Sequence, residues 1–445
     1  MLTYLAGHER KTICRMIKGP GYRRIWRWIF MICVVSCLAG SLNAQYLWLS
    51  DSAFRAGTPN SGRLWGYAFG DYFHKAHSDS LNRGGNNQYT NVKQGQDEFQ
   101  FRRIYLGYDY NIANQFSAEF LFAAEDDFNG GDVLTNNKLT GYIKFANIRW
   151  HDFLFKGNDL VVGLQPTPAY PYTSEQLFTY SRPVERTITD IRRTPSFDLG
   201  ASLQGRFNSK DKSITYGYNI LVGNGTGARP QALNVDVYKW FYGDVFVGLL
   251  DHRLIVDYYA DYQRQHWTPD AHGHASRQMN KLALIWVDKK FTVGAEGFVN
   301  SLKQCEAASF SRGTDTLDGR AAGLSLYAHA SLSGTKLRVF ARYDWYDPNT
   351  KYDNAYYSKY SALYGVATSY EPNNKETFLS AGLDYSPVPN VHFIPNIWYD
   401  SYAGKQSGLS GRAAHDHDLV FRLTFFFTFG KIFQNPAYSY YPYLH

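Results

Sequence analysis

Asp416–Phe429 reads DHDLVFRLTFFFTF. Leu419, Phe421, Leu423, Phe425, Phe427 and Phe429 share one phase of a two-residue period, and Arg422, Thr424 and Thr428 share the other. That alternation is the signature of a β-strand with one apolar and one polar face. The period recurs upstream. Phe116, Ala118, Phe120, Phe122 and Ala124 oppose Gln115, Ser117, Glu119 and Glu125. Phe197, Leu199, Ala201, Leu203 and Phe207 oppose Asp198, Ser202, Gln204 and Arg206. Leu337, Val339, Ala341, Tyr343 and Trp345 oppose Lys336, Arg338, Arg342 and Asp344.

Reading outward in both directions gives sixteen such segments, from Gly62–Lys75 to Asp416–Phe429. A soluble sandwich also alternates, so the connections decide. They run long, then short, in strict order. Ala113-Asn114, Leu250–Arg253 and Ser333-Gly334 are short; Ala76–Asp97, Pro166–Pro195 and Lys303–Gly319 are long. Tight turns at one end and long loops at the other describe an all-β transmembrane antiparallel β-barrel. A lumen ringed by sixteen strands is too wide for side chains to fill, which predicts an aqueous channel. Arg or Lys facing lipid at mid-bilayer costs roughly 2–4 kcal/mol. Arg206, Arg338, Arg342 and Arg422 are therefore assigned to the lumen, with Glu119 and Asp198 on the same face.

Composition agrees. Aromatic residues make up 17% of the 445, with 36 Tyr and 30 Phe, which suits aromatic girdles at two membrane interfaces. No apolar run is long enough for a spanning helix. The net charge of +7 is misleading: residues 1–44 hold seven bases against Glu9 alone, so the remainder sits near neutrality and a nucleic-acid binder is not indicated. Those bases precede Trp28–Gly40, WIFMICVVSCLAG, and the small residues before Gln45 suit signal peptidase. Residues 1–44 are expected to be a signal peptide, with Met16 a second start and Val34–Cys37 a loose lipoprotein box. Residues 45–61 form a lead-in, 62–429 the barrel and 430–445 a C-terminal tail. Beyond the signal only Cys305 remains, so no internal disulfide is expected.

Several stretches resemble the porin family that includes the phosphate-selective porins, in its Bacteroidetes form. They are FRRIYLGYDYNI (Phe101–Ile112), LVVGLQPTPAY (Leu160–Tyr170), VGNGTG (Val222–Gly227) and FRLTFFFTF (Phe421–Phe429). The resemblance implies a homotrimeric outer-membrane barrel whose third outer loop folds inward, passing small hydrophilic solutes. Two departures stand out. The chain continues past Phe429, and the arginine ladder of phosphate-selective members has no residue-by-residue match.

The connection between the fifth and sixth strands is the functional candidate. Gln165–Phe197 opens with Pro166, Pro168 and Pro171 and then carries Arg182, Glu185, Arg186, Asp190, Arg192 and Arg193. Charges this dense require water or partners. They are read as a pore constriction, with a purely structural pairing of the acids and arginines as the alternative. Glu125–Asp132 is acidic without the full calcium-loop pattern, and the histidines of Asp270–His274 and His415–Asp418 lie in outer loops without a fixed scaffold; no metal or cofactor is expected. His329 and Ser331 fall on the lumen phase, unsuited to a lipid substrate, and no orienting partner is evident, so no catalytic residue is assigned. The reading is a porin for passive diffusion. An anion- or phosphate-selective channel, a lipid-acting barrel enzyme and a surface receptor are its alternatives.

Overall fold

The computed structural model describes residues 59–83, 88–89, 91–125, 134–135, 138–139, 141–169, 171–181, 183–189, 195–211, 213–227, 238–265, 275–310, 313–351, 359–362, 374–404 and 415–430. The expected signal peptide, most of the lead-in and the tail beyond Gly430 lie outside them.

Sixteen strands form the wall: β1 (Ser61–His77), β2 (Asp97–Ala113), β3 (Phe116–Glu125), β4 (Gly141–Trp150), β5 (Asn158–Pro166), β6 (Phe197–Asn208), β7 (Thr215–Gly223) and β8 (Trp240–Leu249), then β9 (Leu254–Gln265), β10 (Ala275–Val287), β11 (Phe291–Phe310), β12 (Gly313–Ser331), β13 (Leu337–Asp347), β14 (Asn374–Val388), β15 (Val391–Gly404) and β16 (His415–Gly430). Each pairs antiparallel with the next, and β16 returns to β1 with Ala68 opposite Phe427. Closure leaves the ring no open edge, so its backbone groups are satisfied within the sheet, as a bilayer demands.

The faces sort as the alternation predicts. On β10, Leu282 and Leu284 are each 48% exposed outward, whereas Lys281 is 1% exposed inward. Leu106, Phe120, Ile220, Leu326 and Phe421 continue the outward apolar band. Arg342, Arg422, Glu119 and Asp198 are buried on the inner side. Removing such charges from lipid is what fixes the phase.

Four local features differ from the sequence reading. Lys303–Gly319 is not a long loop. β11 and β12 run on as 20- and 19-residue strands, paired out to Phe310 opposite Gly313. Lys359–Ala362 adds to the outer part of β11, with Ala362 opposite Glu306. Lys336, placed by the alternation on the charged face of its segment, instead sits exposed in the turn before β13 and donates to the Pro387 carbonyl. Finally, β2 bulges. Phe69 faces Arg103 and Gly70 faces Phe101, so Arg102 has no partner across the strand. A bulge inserts one residue and resets the alternation. Both Arg102 and Arg103 thereby lie over the inward Phe69 ring, at 4.9 and 5.7 Å. Gly70 permits the bend, because a Cβ there would stand 2.1 Å from the Gln100 carbonyl oxygen.

Candidate functional site

The segment between β5 and β6 leaves the wall at Thr167, whose amide donates to the Ser196 carbonyl at 3.2 Å. From there it meets inward-facing side chains of six strands. Lys281 of β10 donates to the Ala169 carbonyl. Pro171–Phe178 forms a short π-helical turn. At its end the Leu177 carbonyl accepts from His329 Nε2 of β12 at 3.1 Å. The Tyr180 hydroxyl donates to Asp384 Oδ2 of β14 at 2.9 Å, and its ring stacks on Phe340 with centroids 4.1 Å apart. Burial pushes the Tyr180 phenol well above its usual range, so it remains a neutral donor. Arg102 of β2 donates to the carbonyls of Pro183 and Val184. Arg342 of β13 donates to the carbonyls of Glu185 at 2.8 Å and Arg186 at 2.7 Å, and it pairs with Asp344. Trp398 Nε1 of β15 donates to the Glu185 carboxylate at 2.9 Å.

Apolar packing supplies the rest. Leu177, Phe178, Tyr180 and Val184 are buried in one cluster with Trp65, Tyr67, Phe69, Tyr105, Tyr327, Phe340 and Phe426 of the inner wall. Fully burying a large apolar side chain is worth about 1.5–3 kcal/mol. The segment is thus seated by hydrophobic contact and fixed in position by hydrogen bonds.

A second loop reaches the same place. Tyr89, from the connection between β1 and β2, is fully buried with its ring edge-on to Phe73 and Trp398, at 5.2 and 5.3 Å. Its carbonyl accepts from Lys75 Nζ at 2.6 Å. Gln88 Oε1 accepts from Arg102 at 2.9 Å and from Arg422 at 3.3 Å. Asp71 balances this pair, accepting from Arg102 and from the Tyr89 hydroxyl at 3.2 Å. Arg102 and Trp398 therefore each touch both loops.

Of the residues assigned to a constriction, Glu185 and Arg186 stand in this network, while Arg182, Asp190, Arg192 and Arg193 lie outside the described residues. Among the lumen assignments, Arg422 donates to Asn396 at 2.8 Å, Glu119 accepts from Asn147 at 3.0 Å, and Asp198 accepts from Tyr242 at 3.0 Å. Arg338 and Arg206 are half-buried; Arg338 stands across from Asp384 in register, and Arg206 lies 5.8 Å from the Phe246 ring centre. Asp244, Asp257 and Glu296 add a buried acidic stretch on β8, β9 and β11, where Lys281 Nζ lies 3.8 Å from Glu296. His329 positions the third loop. His415–Asp418 are the first residues of β16 rather than part of a loop.

Arg102, Trp398, Asp71 and Tyr89 were not singled out from the sequence. For Arg102 a signal existed: consecutive arginines in an alternating strand would send one into lipid, so the pair implies a bulge. Trp398 and Tyr89 carry no local pattern that marks them.

A closed sixteen-stranded barrel with an apolar outer band and a charged interior is the architecture of an outer-membrane porin. No protein-family model matches the chain, and no curated protein matches it in sequence. Solved structures do. The outer membrane channel DcaP of Acinetobacter baumannii superposes with a TM-score of 0.55 at 10% identity, over 84% of this chain and 99% of that one. Salmonella typhi OmpF, solved with daunomycin, gives 0.52 at 11%, over 83% and 98%. The anion-selective porin of Comamonas acidovorans gives 0.51 at 10%, over 83% and 100%.

Proposed function

We propose that this protein is an outer-membrane porin through which small hydrophilic solutes diffuse passively, and that the segment between β5 and β6 narrows its lumen. The observation that carries the reading is the tethering of that segment to inward side chains of six strands, inside a barrel whose outer face is apolar. Charge at a narrow passage biases ion entry: a fixed charge about 4 Å away is worth about 1 kcal/mol at water's dielectric and about 4 kcal/mol at an effective value of 20. The described wall carries acids as well as arginines. That mixture favours a weakly selective pore over a phosphate-selective one. Three copies packed side by side are the expected assembly.

The test is single-channel recording in a planar bilayer under a salt gradient. Steady conductance with a reversal potential of modest size is expected. Strong anion selectivity with block by phosphate would move the reading to the phosphate-selective type. Absence of conductance from correctly folded protein would overturn the open-pore reading and favour a receptor or a lipid-acting enzyme.

A further inference from the structure

We propose that His77, Asp416 and His417 bind a divalent transition-metal cation, with Zn²⁺ as the simplest case, at the outer rim of the barrel seam. His77 ends β1, and Asp416 and His417 are near the start of β16. They are about as far apart in sequence as the barrel allows, the two histidines 340 positions apart, yet closure makes them neighbours. One donor atom from each lies within 4.8 Å of the other two. The donors rest on paired strand ends, which supply the scaffold that the HDHD motif lacks when read alone.

The local geometry prepares the site. Asp416 is fixed by backbone donors, the amides of Ser80 and His417, each at 2.8 Å. His77 Nδ1 donates to the His417 carbonyl at 2.7 Å, which orients the ring, and the same nitrogen stands 3.7 Å from Asp416 Oδ1. Asp416 Oδ1 stands 3.8 Å from His417 Nδ1. Around a tetrahedral ion with bonds of about 2.1 Å, donors lie about 3.4 Å apart. The two imidazoles are stacked, 4.1 Å apart and 6° from parallel, so their lone pairs run side by side. One ring tilts on loading, and half-burial of all three side chains leaves room for it.

Charge favours a dication. Asp418 is paired with Lys75 at 2.9 Å and Asp79 with Arg83 at 2.7 Å, so those neighbours cancel. Asp416 remains as the acid beside two imidazoles, and His415 next to it is exposed. Two imidazoles and a carboxylate suit Zn²⁺ and its neighbours better than Ca²⁺ or Mg²⁺, which prefer all-oxygen shells. A bound ion would fasten the start of the first outer loop, through Ser80, to the closing strand.

The test is calorimetric titration of the folded, tag-free, full-length protein in detergent with Zn²⁺ alone. About one ion per chain is expected, removable by EDTA. His77→Gln and His417→Gln each lower affinity at least about tenfold, while His415→Gln leaves it unchanged. Heat-modifiable gel mobility of each variant confirms that the barrel is folded. Zn²⁺ raises the unfolding temperature of the wild type and not of the His77→Gln/His417→Gln variant. Unsaturable binding, or binding undiminished in that folded double variant, overturns the proposal. So does loss of binding in His415→Gln with none in His77→Gln.

Discussion

Arg342→Ala tests whether the third loop is held by its backbone. Arg342 donates to two consecutive loop carbonyls, at 2.8 and 2.7 Å, from a side chain that is almost wholly buried. Hydrogen bonds from a charged donor contribute roughly 1.5–3 kcal/mol each. Taking the low end for both, because freed carbonyls rehydrate in a wet lumen, gives about 3 kcal/mol, or about a 150-fold shift in the balance between seated and released loop. The single variant also strands buried Asp344, and breaking a buried pair costs about 3–5 kcal/mol of overall stability. Arg342→Ala/Asp344→Ala separates the two effects by removing the tether without leaving the orphaned carboxylate. In single-channel recordings both variants should show added current fluctuation and excursions to higher conductance. In thermal unfolding the single variant should lose more stability than the double variant. A double variant that is folded and as quiet as the wild type would refute the tether.

Trp398→Phe keeps the ring packed between Tyr89 and Phe378 but deletes the N–H bonded to Glu185, so loop release should rise about tenfold or more, read as channel noise; unchanged noise would mean the bond carries no weight. Leu282→Arg places a charge on the outward face of β10 and should lower folding stability in vesicles by roughly 2–4 kcal/mol, whereas an equal tolerance of Arg and Leu there would contradict the lipid assignment. Asp211, in the turn between β6 and β7, accepts from Ser209 and Ser213, and these bonds hold its carboxyl down to about 2. Its folded value lies below its unfolded one, so its contribution is complete above about pH 4 and is lost as pH falls through about 2. The stability difference between wild type and Asp211→Asn should vanish over that window, and a difference that persists below pH 2 would exclude the carboxylate as its source.

The strands were legible because their cause is local. Lipid on one side and water on the other imprint a two-residue period on each strand, and the sixteen segments follow from it. The same cause explains the main misreading. Lys303–Gly319 lacks the period, yet β11 and β12 pair through it. Alternation reports a membrane boundary, not pairing itself, so strand that extends beyond the bilayer loses the signal. The lumen assignment of Arg342 and Arg422 was readable from the cost of charge in lipid, but their partners were not. Trp398 reaches Glu185 across 213 residues and Tyr180 reaches Asp384 across 204, and no periodicity encodes such distances. Arg102 lay between these cases, since the doubled arginine was visible but the bulge depended on Gly70 in the neighbouring strand.

The pattern of tethers separates where the third loop lies from what it presents. The wall grips it mainly by main-chain oxygens: those of Ala169, Leu177, Pro183, Val184, Glu185 and Arg186 all accept from inward side chains. Every residue type has a carbonyl, so substitutions in the loop leave these anchors in place. Three of the four donors, Lys281, Arg102 and Arg342, are cations, and a cation cannot turn to the lipid side without a large cost. The energy that fixes the barrel's inside and outside thus also fixes donors at the height where the loop crosses. A wall of this kind holds one loop path while the loop's own charged side chains change.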